Sequence, residues 1–157
     1  MKLTKEKAKE LAKKYLLDSK IKDGEFLYAH TKGVVEAAKL LAKREKLDIK
    51  KIESCAWAHD IGYYLEQESH AKKGIELIEK EGIDIDEILR DCVLNHGNSG
   101  NPITKEGKIM QIADKISIMN NDFLKILLNK KIGKEEIGFI KMMFDKSIKM
   151  LEKLKCN

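Results

Sequence analysis

Proline is nearly absent from this 157-residue chain, Pro102 being the only one. With so few breakers, and with Ile, Leu, Lys, Glu and Ala dominating, the chain reads as all-α. These residues lose little freedom in a helix, and no segment alternates as a strand would. Cysteine is scarce as well. Cys55, Cys92 and Cys156 are odd in number and follow no CxxC spacing, which argues against a disulfide framework, an iron–sulfur cluster and structural zinc. With no secretory segment ahead of them, they imply a reducing, cytoplasmic setting. No apolar run approaches the roughly 20 residues of a membrane span. Arginine is missing where a nucleic-acid binder would show it: the formal charge is +5, yet of 31 basic residues only Arg44 and Arg90 are arginines. Arginine forks onto phosphates and guanine edges, whereas these lysines interleave with glutamates and lack aromatic neighbours, the pattern of a solvated face. Dedicated nucleic-acid binding is not expected, although the mild positive field favours an anionic substrate.

What is present is helical periodicity. The length suits one domain, residues 1–157, able to bury about two-thirds of its unfolded surface. Helices are expected over about residues 4–18, 24–46, 48–63, 69–81, 84–96, 104–129 and 134–155, a bundle of six to seven. Asp48, Asp84 and Thr104 read as N-caps and Gly82 as a stop. The turn-rich stretch "HGNSGNP", His96 to Pro102, is an ordinary connection. The last helix carries apolar residues at Ile137, Ile140, Phe144, Ile148, Leu151 and Leu154, a face for packing on the bundle or, alternatively, for a homodimer contact.

The ionisable residues sit in unexpected places. In "CAWAHDIGYY", Ile52, Cys55, Ala56 and His59 fall at i, i+3, i+4 and i+7, so His59 lies on the apolar stripe, and Asp60 follows Ala56 by one turn. His30 continues the stripe Phe26, Val34, Ala37, Leu41, and His96 ends the stripe Ile85, Leu89, Cys92. Asp114 interrupts "KIMQIADKISIM", apolar almost all round, and a short carboxylate there cannot snorkel to water. Burying an unpaired polar group costs about 2–7 kcal/mol and a charge more, so these groups need a hydrogen-bonded partner, an acid–base role or a metal. His70, in "ESHAKKG", is the least distinctive of the four histidines. Imidazoles and carboxylates on facing helices suit Fe, Mn, Zn or similar divalent ions. Cys55 and Cys92, on apolar stripes, read as small core residues.

The order His30, then His59-Asp60, then Asp114, closed by an "ADK" segment on an all-α chain, resembles the HD superfamily of metal-dependent phosphohydrolases over about residues 25–125. The resemblance implies an HD-domain-like bundle with the metal site between its central helices. His70 ("HAKKG") and His96 ("NHG") look like the extra histidines of members that bind two ions. It further implies that His30, His59 and Asp114 hold one ion, that His70 and His96 hold the second, and that Asp60 bridges them. The ions would be two divalent cations from among Fe, Mn, Zn, Co, Ni and Mg. One departure is visible: several HD phosphodiesterases have a lysine three residues after the aspartate, as in HDIGK, and here that residue is Tyr63.

The function so implied is hydrolysis of a phosphoester or phosphoanhydride in a small phosphorylated substrate, such as a nucleotide, by metal-activated water. Asp60 and Lys115 are the candidate catalytic residues, Lys115 because it adjoins Asp114 and would neutralise phosphate charge. Asn95, Asn98 and Ser99 are candidate hydrogen-bond donors, and Tyr63 and Tyr64 offer rings for a base or cover for the core edge. The same ligands resemble those of diiron oxygenases of the superfamily, which is the oxidative alternative. A non-enzymatic metal-containing sensor module is a third.

Overall fold

The computed structural model describes residues 1–120, Lys125 and 133–155, and every regular element among them is helical. Helix α1 (Lys5–Ala12) starts at Thr4, whose hydroxyl accepts from the Lys7 N–H at 3.2 Å. It then widens into a π-helical turn at Lys13–Asp18, where a plain α-helix to residue 18 was expected. The wide turn sets the Tyr15 hydroxyl on Glu81, donating at 2.6 Å. Helix α2 (Gly24–Arg44) is followed by α3 (Ile49–Ala58), capped by Asp48, which accepts from the N–H groups of Lys50 and Lys51 at 2.9 and 3.1 Å. Helix α4 (His70–Lys80) stops at Gly82, whose φ of 72° lets its N–H reach Glu79 O while the Ile83 N–H reaches Ile78 O, closing the orphan carbonyls of the last turn. Helices α5 (Glu87–Leu94), α6 (Lys105–Ile116) and α7 (Lys134–Lys155) follow among the described residues. Thr104 caps α6 through the Gly107 N–H at 2.9 Å.

Three further sequence expectations are corrected. The helix expected over 48–63 ends at Ala58 and gives way to a 3₁₀ turn at Ile61–Tyr64. Asp84 is not a cap: Asp86 caps α5 by accepting from the Leu89 N–H at 2.9 Å. Asp84 is drawn off by Met1, which contacts its backbone N–H through the Met1 carbonyl at 2.9 Å and its carboxylate through the amino nitrogen at 2.7 Å. The helix expected over 104–129 ends at Ile116 with a 3₁₀ turn at Ser117–Met119, and its stretch beyond residue 120, Lys125 excepted, lies outside the described residues.

The core runs through all the central elements. Leu11, Val34, Ile52, Ile61, Ile78, Leu89 and Met110 are buried in one cluster contributed by α1 to α6. Helices α2, α3 and α6 lie against one another at its centre. Of the expected α7 stripe, Ile140 and Phe144 pack on Ile118, whereas Ile137 and Ile148 are exposed; the Leu154 side chain lies outside the described set. Helix α7 is also held by Ser147, a buried hydroxyl shared between the carbonyls of Lys115 and Met143. That contact ties it to the end of α6, where the next group of residues sits.

Candidate metal centre

The break in α3 falls on the His-Asp doublet. His59 closes the helix, and Asp60 opens the 3₁₀ turn at φ −109°, ψ 3°, close to the sparsely populated bridge region where many active-site residues sit. Gly62 permits the turn's position. A Cβ there would lie 1.8 Å from His70 O and 2.4 Å from Gly74 N, so only glycine lets the backbone of the doublet press on the start of α4. That close approach brings His70 to Asp60.

All six residues singled out from the sequence converge. Asp60 Oδ2 lies 3.1 Å from His59 Nε2 and 3.6 Å from His30 Nε2. Its other oxygen, Oδ1, lies 3.2 Å from His96 Nε2 and 3.6 Å from His70 Nε2. Asp114 Oδ1 joins the first group, 2.9 Å from His30 Nε2 and 3.8 Å from His59 Nε2. Two sets of ligand atoms, His30-His59-Asp60 and Asp60-His70-His96, each have members within 4.8 Å of one another and share Asp60.

The histidine protons are placed by the surroundings. Nδ1 of His59, His70 and His96 lies 2.7, 2.8 and 2.8 Å from the carbonyls of Ala56, Gln67 and Val93. Because a carbonyl only accepts, each Nδ1 carries the hydrogen. His30 Nδ1 lies 3.0 Å from Ser117 Oγ, whose own hydrogen goes to Asp114 O at 2.7 Å, so His30 donates as well. With Nδ1 so engaged, Nε2 is the atom each neutral imidazole has left to ligate with, and it faces carboxylate oxygens or, for His70 and His96, its counterpart at 3.1 Å. Acceptors facing acceptors call for a positive charge between them, a proton or a metal ion. His59 Nε2 makes the point most directly, being a buried nitrogen without a hydrogen-bond partner. The imidazole and carboxylate donors fit divalent metal ions.

Charge tells the same story. Burial alone would lower the His59 imidazole, but the Asp60 and Asp114 carboxylates outweigh it and hold it up at about 10. Burial would raise both carboxyls, yet His59 and His96 keep Asp60, and His30, His59 and Lys115 keep Asp114, well below the usual carboxylate range. His70, at the more open side, is lowered by burial. Buried carboxylates that hold a proton on a neighbouring imidazole also attract a metal in its place.

Lys115 was expected to face phosphate. It is buried, and its ammonium sits on Asp114 Oδ2. The Asn95 side chain donates to Asp91 Oδ1 at 2.7 Å, while Asn98 and Ser99 are exposed. The Tyr63 ring stacks on His70, centroids 4.1 Å apart and planes at 15°, and Tyr64 lies against Tyr15 at the outer edge. Contributors that escaped the sequence reading include Ser117, Gly62 and Gln111, whose amide nitrogen lies 3.0 Å from Gly97 O beside His96. The signal for two of them was present, because Gln111 and Ser117 interrupt the same apolar run that singled out Asp114.

Comparison with known proteins identifies the family and the fold. The HD domain family model matches residues 27–119. A deoxyguanosinetriphosphate triphosphohydrolase-like protein of Caldanaerobacter subterraneus subsp. tengcongensis is 26% identical over 144 residues, 78% of this chain and 42% of the relative. Ribonuclease Y of Fervidobacterium nodosum is 35% identical over 97 residues, 60% of this chain and 18% of the relative. Ribonuclease Y of Borreliella burgdorferi is 31% identical over 116 residues, 71% of this chain and 22% of the relative. The chain thus spans less than half the length of the curated relatives it matches. The crystal structure of a predicted HD superfamily hydrolase from an uncultured Thermotogales bacterium superposes with a TM-score of 0.62 at 21% identity, covering 96% of this chain and 91% of the other.

Proposed function

The chain belongs to the HD-domain family, and from that premise we propose that it is a metal-dependent phosphohydrolase cleaving a phosphoester or phosphoanhydride of a nucleotide or other small phosphorylated metabolite. The observation that carries the reading is the division of Asp60: one oxygen serves the His30-His59 side, the other the His70-His96 side. A carboxylate so placed joins two cation positions. The names of the relatives, a triphosphohydrolase-like protein and ribonucleases, share hydrolysis at phosphorus, and the first supports a nucleotide.

His30, His59 and Asp114 would hold one divalent ion and His70 and His96 a second, and such ions would supply Lewis acidity toward a phosphoryl oxygen, a more acidic water and charge compensation at the leaving oxygen. The chain's own part is to build and hold the site. Asp60 keeps the two positions in register and supplies the negative charge that offsets their repulsion. The Nδ1–H contacts lock each imidazole in the tautomer whose Nε2 is free to ligate. Lys115 occupies one oxygen of Asp114, leaving Oδ1 for the first position, so it acts on the phosphoryl group through Asp114. No protein nucleophile is required.

Metal analysis of freshly purified protein, followed by a screen of nucleotides and phosphate esters, tests the proposal. Asp60→Asn removes a charge felt at both positions, so metal content and hydrolysis should fall together. His70→Ala strips one ligand that water replaces, and should be milder. Full metal content with near-normal hydrolysis in Asp60→Asn would refute the bridging role.

A further inference from the structure

Beyond the ligands themselves, the loop that carries His96 is clasped from two sides. Asp91, buried on α5, holds its ends: it accepts from the Asn95 side chain at 2.7 Å, from the N–H groups of Ile103 and Thr104 at 3.1 and 2.8 Å, and from the Thr104 hydroxyl at 2.6 Å. Room for that carboxylate exists because residue 107 is glycine; a Cβ there would lie 2.1 Å from Asp91 Oδ2. Gln111 holds the middle. Its amide nitrogen lies 3.0 Å from Gly97 O and 3.5 Å from Asn95 O, the carbonyls on either side of His96, and 3.0 Å from Gly100 O further along the loop.

Gln111 stands one helical turn before Asp114 on α6. Residues three apart share a helix face, so one face of α6 sends Asp114 to the first ligand set and Gln111 to the backbone bearing His96. We propose that Gln111 is a positioning residue that fixes His96 relative to Asp114 and thereby sets the affinity of the second ion. This rests on the two-ion reading above. An amide is suited to the task because it donates from one atom to several carbonyls; a carboxylate of the same shape would repel them.

The test titrates Mn²⁺ into the metal-stripped full chain by calorimetry, with wild type, His96→Ala, Gln111→Met and Gln111→Glu side by side. His96→Ala identifies the step belonging to the second ion. Gln111→Met should weaken that step by about tenfold, the low end for lost outer contacts to a ligand, and leave the other step within experimental error. Gln111→Glu, which preserves size, should weaken it further. Two steps in wild type with both unchanged in the Gln111 variants would overturn the inference alone. Equal weakening of both steps would also overturn it, showing general loosening of the fold. A single step in wild type would overturn the two-ion reading and the inference with it.

Discussion

Ser117 shows how much one hydroxyl settles. It has one hydrogen, given to Asp114 O at 2.7 Å, and its lone pairs receive His30 Nδ1 at 3.0 Å. The other three histidines rest on backbone carbonyls, which no substitution removes. The tautomer of His30 is thus the one a point mutation reaches. On the two-ion proposal, Ser117→Ala should weaken binding at the position assigned to His30, His59 and Asp114 by roughly tenfold and spare the other, while Ser117→Thr keeps the hydroxyl and most of the affinity. Titration of both variants with Mn²⁺ measures this; an alanine variant with wild-type affinity at both steps would refute it.

Among the elements, the junction of α3, its 3₁₀ turn and α4 matters most to the site. The stripe Ile52, Cys55 and Ala56 keeps helical spacing up to His59, so periodicity extends the helix to residue 63 and cannot register the break. The break comes from contact: the turn's backbone meets the carbonyl of His70 at a separation that excludes a Cβ on Gly62. Gly62→Ala should therefore push α4 away, destabilising the chain by about 1–3 kcal/mol as overpacking does. Because α4 begins with His70, the variant should also lose the ion on that side. Urea unfolding with metal analysis tests both; unchanged stability together with full metal content would count against the packing argument.

Across the molecule, Glu81 joins the N-terminal segment to the far end of α4. It accepts from the Lys14 ammonium and the Tyr15 hydroxyl, each at 2.6 Å. The Lys14 hydrogen bond first, and Tyr15 second, hold its carboxyl below the ordinary value. A carboxyl depressed on folding contributes stability above its unfolded pKa, about 4.3, and loses it as pH falls through the folded value. Glu81→Gln should cost about 1 kcal/mol at neutral pH, the scale of one hydrogen bond. Its stability should also fall less steeply than that of wild type as pH drops below about 5. Urea unfolding of metal-free protein at stepped pH measures the two slopes, and parallel slopes would disprove the assignment.

The amino-acid order alone determined the helical class, the apolar faces and the suspicion attached to His30, His59, Asp60, His70, His96 and Asp114, because periodicity and the cost of burying charge are local properties. Caps at Asp48 and Thr104 and the stop at Gly82 were readable for the same reason: their partners lie within a few residues. Tertiary structure decided the rest. Which oxygen of Asp60 meets which histidines, and Lys115 turning to Asp114, depend on groups far apart in sequence. So do Asp84 losing its cap role to Asp86 and the α3 helix ending at Ala58. A hydrogen bond or a close backbone approach between distant segments leaves no spacing in the chain to read.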